Sequence, residues 1–91
     1  MIQRVVEVEN KLGLHARAAA KLVRLASSFS SRILVSREGT AEVVEAGSIL
    51  GILMLAAARG SRLVFSIDGQ DEMEAGEAIR ELFAGRFGEE S

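Results

Sequence analysis

The sequence predicts an α+β fold of two layers, an antiparallel sheet with all its helices on one face. Three observations lead there. Apolar residues switch between a period of two and a helical period in the order β-α-β-β-α-β-α. Each helical segment has one apolar stripe and each strand alternates, so each must bury one side against the opposite layer. The chain has 91 residues and is 48% apolar, which suffices for one core without staples. No repeat, linker or low-complexity segment divides it, and residues 1–91 read as a single domain. The β-α-β-β-α-β core also suits ferredoxin-like folds, and element order alone does not separate the two.

Proline is absent, so glycine punctuates the chain. Ile2 to Glu9 places Val6 and Val8 on one face and Glu7 and Glu9 on the other, a half-buried strand. Asn10 to Gly13 is a loop. From Ala16 the pattern turns helical: Ala19, Leu22, Val23 and Ala26 share one stripe, and Arg17, Lys21, Arg24 and Ser28 form the opposite one. Ser30 and Ser31 end this helix. Arg32 to Arg37 alternates with Ile33 and Val35 inward, and Glu38-Gly39 is a hairpin signal. Thr40 to Glu45 is the returning strand, with Ala41 and Val43 on one face. A second helix is expected from Ser48 to Arg59, with Gly60 as its left-handed cap. Leu63, Phe65 and Ile67 point inward from a fourth strand, and Asp68-Gly69 turns the chain. The last helix is expected from Asp71 to Ala84, with Ala75, Ala78, Ile79 and Leu82 inward and Glu72 and Glu74 on the positive end of its dipole. Gly85 closes it, and Gly88 to Ser91 reads as a frayed acidic tail.

Composition narrows the function. Without cysteine there are no disulfides or thiolate metal sites, and one histidine excludes a multi-histidine metal site within one chain. No loop spaces carboxylates as Mg2+ or Ca2+ ligands, so neither a metal nor a cofactor is expected. A formal net charge of -2 and four Phe without Tyr or Trp argue against nucleic acid as the main partner. Met1 to Glu7 lacks the apolar region of a signal peptide. The longest apolar stretch, Ile49 to Ala58, is broken by Gly51 and is far short of the ~20 residues of a membrane span. A cytoplasmic monomer without membrane insertion is expected.

The chemistry concentrates at His15. It stands just before an amphipathic helix, where first-turn N–H groups lack internal partners and the dipole end is positive. An anion there is bound by backbone donors. Arg17 adds a fixed charge and forked donors suited to phosphate oxygens, and a neutral imidazole is a competent nucleophile. By pattern alone, a histidine at a helix start is more often a surface residue or a cap.

A resemblance decides between these. Asn10-Lys11-Leu12-Gly13-Leu14-His15-Ala16-Arg17 resembles the active-centre motif of the HPr family, the histidine phosphocarriers of the bacterial phosphotransferase system. The similarity runs on through Ala19 to Leu22. It returns at Ser48-Ile49-Leu50-Gly51-Ile52-Leu53-Met54-Leu55 with Arg59-Gly60, which is similar to the family's regulatory-serine helix, and fits the Gly69–Glu74 turn and the Leu82-Phe83 helix end. The lead-in to His15, the apolar Ile49–Leu55 run and the acidic tail lean towards the nitrogen-related branch rather than the sugar-transport one. The resemblance implies an open-faced β-sandwich with three helices over a four-stranded antiparallel sheet. It implies phosphate transfer from enzyme I, itself charged by phosphoenolpyruvate, to His15, and onward to a IIA-type protein. Carried over, His15 is the phosphoryl acceptor, Arg17 stabilises the phosphate, and Ser48 is a candidate target for an HPr kinase. One departure stands out. The family has proline after the His-Ala-Arg triplet, and this chain has Ala18, which tolerates the first-turn geometry without enforcing it.

The second helix has almost no polar side. A two-layer fold covers one face of a helix, so Ile49, Leu50 and Leu53 are candidates for an exposed docking patch, against the plainer alternative of a core helix. In the family the first two helices form that surface, and Arg17, Lys21 and Arg24 would steer acidic partners to it. Ser48 is equally a favoured N-cap residue. The runner-up function is a regulatory HPr paralogue that binds partners without relaying phosphate, which Ala18 favours slightly and His15 with Arg17 disfavour. A ligand-binding ferredoxin-like domain lacks convergent polar groups. An autonomous enzyme is disfavoured because no second titratable group obviously pairs with His15.

Overall fold

The computed structural model describes residues 1–90. In chain order the elements are β1 (Ile2–Glu7), α1 (Ala16–Ser27), β2 (Arg32–Arg37), β3 (Val43–Glu45), α2 (Ile49–Met54), β4 (Arg62–Asp68) and α3 (Glu72–Ala84), followed by a short turn at Arg86–Gly88. The strands form one sheet in the order β1-β4-β2-β3, each neighbouring pair antiparallel. The expected α+β architecture is present. The insertion of β4 between β1 and β2 settles what element order left open: this is the open-faced sandwich.

One side of the sheet makes the core. Val6, Ile33, Val35, Leu63, Phe65 and Ile67 meet Ala18, Ala19, Leu22 and Ala26 of α1, Ile52 of α2, and Ala75, Ile79 and Phe83 of α3. Each strand contributes alternate residues, as the period of two requires. Phe65, Phe83 and Phe87 stack edge to face with centroids 5.7 and 4.8 Å apart, a favourable aromatic geometry. Asp71 precedes α3 and ties it to the end of α1: it accepts from the Ser30 and Ser31 N–H groups at 2.8 and 3.0 Å and from the Ser31 hydroxyl. The Ser31 hydroxyl first, then the Ser30 N–H, holds its carboxyl down at about 2.

Several boundaries differ from the expected ones. β1 ends at Glu7 rather than Glu9. Val8 stays buried because it exchanges backbone bonds with Gly60 and Ser61. β3 is only Val43–Glu45, and Ala41 and Val43 are both exposed. Register explains the parity: Val44 pairs with the buried Val35, which puts Val44 on the core side. α2 stops at Met54 instead of Arg59; Ala56 has φ +49, and the chain leaves the helix to bring the Ala57 carbonyl to the Leu14 N–H at 2.9 Å. Gly60, at φ +91, therefore belongs to the turn before β4 and caps no helix. At the end of α3 Gly85 keeps φ -82, and the left-handed residues are Arg86, Phe87 and Gly88. A bulky residue at positive φ costs roughly 1–2 kcal/mol. Burying the Phe87 ring against Phe83 offsets it, so the tail is anchored through Glu89 and not frayed from Gly88.

Candidate functional site

The site is built on the loop between β1 and α1. Gly13 has φ +68, and a Cβ there would lie 2.6 Å from the Ala57 carbonyl oxygen, so the loop admits only glycine. The next residue, Leu14, is buried and donates its N–H to that same carbonyl. His15 follows in an extended conformation, φ -74 and ψ 179, as the N-cap of α1. Its Nδ1 accepts from the Arg17 N–H at 3.3 Å. An acceptor nitrogen carries a lone pair and no hydrogen, so the nucleophilic electrons of the imidazole point at the N-terminus of a 12-residue helix.

The other ring nitrogen faces a residue from the far end of the chain. Glu89 Oε2 lies 2.6 Å from His15 Nε2. A carboxylate only accepts, so Nε2 bears the hydrogen, and the two contacts together select one tautomer. The His15 hydrogen bond first, then that from Asn10, holds the Glu89 carboxyl below its usual range, and the Lys21 charge adds to this against partial desolvation. Asn10 is fully buried, and its Nδ2 donates to the Gly13 carbonyl at 2.8 Å and to Glu89 Oε1 at 3.0 Å. Because both partners accept, the amide orientation is fixed, and Asn10 Oδ1 is left without a partner among the described residues. Lys21 Nζ holds the tail a second time, donating to the Phe87 carbonyl at 2.5 Å.

The result is an open depression of about 280 Å3 lined by Lys11, Leu12, His15, Arg17, Glu89 and Glu90. Its floor is the imidazole, 26% exposed, and Arg17 stands exposed at its rim. The arrangement offers a nucleophilic nitrogen, helix N–H groups and a guanidinium to an incoming anion. Among the described residues no group of three or more His, Asp or Glu could hold a metal ion.

His15 and Arg17 are brought together as expected. Lys21 is half-buried and committed to Phe87, which corrects its place in a free basic stripe; Arg24 remains exposed in the last turn of α1. Ser48 lies at a different helix start, where its Oγ accepts from the Gly51 N–H at 3.1 Å. The core-helix alternative for α2 fails. Ile52 and the following Leu55 face the core, while Ile49, Leu50 and Leu53 are exposed, Leu50 by 70%. Sequence reasoning missed Glu89 and the burial of Asn10, and the expectation that nothing titratable pairs with His15 is overturned. The available signal was Phe87, the one large apolar residue after Ala84 and four positions beyond Phe83.

No helix of the described residues is long and apolar enough to cross a membrane. The family model for the PTS HPr component phosphorylation site matches residues 2–85. A phosphocarrier protein HPr from Cupriavidus necator is 52% identical over 89 residues, 98% of either chain. A phosphocarrier protein NPr from Klebsiella oxytoca is 39% identical over 90 residues, again 98% of either chain. The crystal structure of HPr-C-His from Thermoanaerobacter tengcongensis is similar with a TM-score of 0.93 at 43% identity, covering all of both chains.

Proposed function

The chain belongs to the HPr family of phosphocarrier proteins of the phosphotransferase system, and on that premise we propose that it takes a phosphoryl group from enzyme I onto His15 Nδ1 and passes it to a IIA-type protein. The observation that carries this reading is the direction of the Nδ1 lone pair, aimed at the α1 N-terminus by the bond from the Arg17 N–H. As Nδ1 bonds to phosphorus, the Arg17 N–H is released from nitrogen to a phosphoryl oxygen. The adjacent first-turn N–H groups and the guanidinium supply the remaining donors. A phosphorylated His15 would therefore replace one cap of the helix with a better one.

The exposed side of α2 supports a docking role for Ile49, Leu50 and Leu53. Together with the exposed Arg17 and Arg24 on α1, which packs against α2, that apolar patch suits an acidic-rimmed partner such as enzyme I. Ser48 at the head of the same helix is where an HPr kinase would act on docking. Incubation with enzyme I and phosphoenolpyruvate, read by intact mass, tests the central reading. One acid-labile phosphate is expected on the wild type and none on His15→Ala. Phosphate retained by His15→Ala would remove His15 from the role.

A further inference from the structure

We propose that Glu89 is a positioning residue for phosphoryl transfer, acting through the imidazole of His15 to hold the Nε2–H tautomer and to balance the positive ring that transfer creates. The inference rests on the phosphoryl-acceptor reading of His15 and extends it to a segment outside the residues 2–85 matched by the family model.

The geometry separates two roles an acid could take here. A carboxylate over Nδ1 would occupy the phosphate position and repel the incoming group. Glu89 instead sits on Nε2, on the opposite edge of the ring from the helix N-terminus. It is kept there by three independent ties: Asn10 Nδ2 on its other oxygen, the buried Phe87 ring two residues before it, and Lys21 on the Phe87 carbonyl. A carboxylate held this firmly is preorganised, and the orientation of the imidazole needs no rearrangement at the moment of transfer.

The proton and electron accounting follows from the tautomer. The Nδ1 lone pair forms the N–P bond, the bond from phosphorus to the donor breaks, and its electron pair leaves with the donor. The Nε2 hydrogen stays in place. The ring therefore becomes an imidazolium bearing a phosphoryl group, and the Glu89 carboxylate lies within hydrogen-bond distance of its N–H. Transfer to the acceptor runs the same steps backwards. The logic is that of a carboxylate which orients a catalytic histidine and stabilises its cation without taking the proton.

The test compares the wild type with Glu89→Gln, Glu89→Ala and Glu89→Asp in two readouts. The first is nuclear magnetic resonance of the unphosphorylated protein. A slowly exchanging, downfield Nε2–H resonance of His15 is expected in the wild type, absent in Glu89→Ala, weakened in Glu89→Gln and partly restored in Glu89→Asp. The second is transfer from enzyme I. A fall in kcat of about ten-fold is expected for Glu89→Gln, the lower end of what the outer carboxylate partners of metal-bound histidines contribute. KM should be little changed and Glu89→Asp should recover part of the rate. An unchanged rate, with or without loss of the resonance, overturns the proposal, and so does a faster rate, which would make the tail a brake. If the wild type itself takes no phosphate, the reading of His15 fails while the resonance still reports on the contact.

Discussion

Two helices of this molecule begin with a side chain that caps them, and only one beginning is equipped for chemistry. At α1, His15 Nδ1 accepts from the Arg17 N–H at 3.3 Å; at α2, Ser48 Oγ accepts from the Gly51 N–H at 3.1 Å. Both side chains take a first-turn N–H, His15 from the second helical residue and Ser48 from the third. Around His15, however, a second contact fixes the ring, Arg17 stands in the first turn, and the helix runs for 12 residues. Around Ser48 the side chain is exposed, the first turn carries no charged residue, and the helix runs for six. A helix N-terminus favours an anion wherever it occurs. What distinguishes the site proposed for phosphoryl transfer is that its cap is gripped from behind, by Glu89, and flanked by a cation.

The largest effect expected from that difference is in Arg17→Ala. The side chain is exposed and makes no hydrogen bond or ion pair among the described residues, so the fold and the thermal midpoint should change little. Transfer from enzyme I should slow by the worth of a charge-assisted contact, about 1.5–3 kcal/mol, or about 10–150-fold. Stopped transfer reactions resolved by mass give the rate. An unchanged rate would take the guanidinium out of the site and leave the backbone donors as the whole phosphate grip.

The contrast also shows which parts were legible in the sequence. α1, β2 and β4 were, because their apolar periods are strong and uninterrupted and packing follows them. His15 and Arg17 were legible because they lie two residues apart at a helix start. The end of α2 was not: Ile52 to Ala58 is all apolar and rich in helix-favouring alanine, and the helix stops because Leu14, in a distant loop, claims the Ala57 carbonyl. The His15–Glu89 contact spans 74 residues of sequence. An acidic residue near a chain end has no local mark of what it will meet, so its role appears only once Phe87 is seen to dock the tail in the core.

The second helix start should respond in a different currency. Ser48→Ala removes the cap and should cost about 1 kcal/mol of stability. Ser48→Asp restores a capping oxygen and should fold like the wild type. The aspartate places an anion at the head of the exposed Ile49, Leu50 and Leu53 side. That charge must be desolvated when an apolar partner surface closes over it. We therefore expect Ser48→Asp, like Leu50→Glu, to raise the enzyme I concentration needed for half-maximal transfer severalfold while leaving the maximal rate near wild type. If neither variant shifts it, α2 is not the docking helix and Ser48 is a cap alone.

The smallest expected effect is at Ala18, where the sequence departs from the proline its family resemblance implies. Ala18 is the third residue of α1, and the cap bond from His15 goes to the Arg17 N–H rather than to the N–H of Ala18. No hydrogen bond of the Ala18 N–H forms among the described residues, since the first bond of the helix runs from Ala19 to the His15 carbonyl. Ala18→Pro therefore deletes no existing bond, and proline's fixed φ suits a first turn. Lost freedom in the unfolded chain should then stabilise the protein by about 0.5 kcal/mol, roughly 2–4 °C in Tm for a domain of this size. Against this stands the complete burial of the Ala18 side chain, which leaves little room for the added ring atoms. Transfer gives a second reading of the same variant. If the Ala18 N–H contributes to phosphate binding, Ala18→Pro should raise Tm and slow transfer slightly, by no more than about twofold, because Arg17 and the neighbouring donors remain. A lower Tm would mean that the wall around Ala18 has closed over the space a proline ring needs.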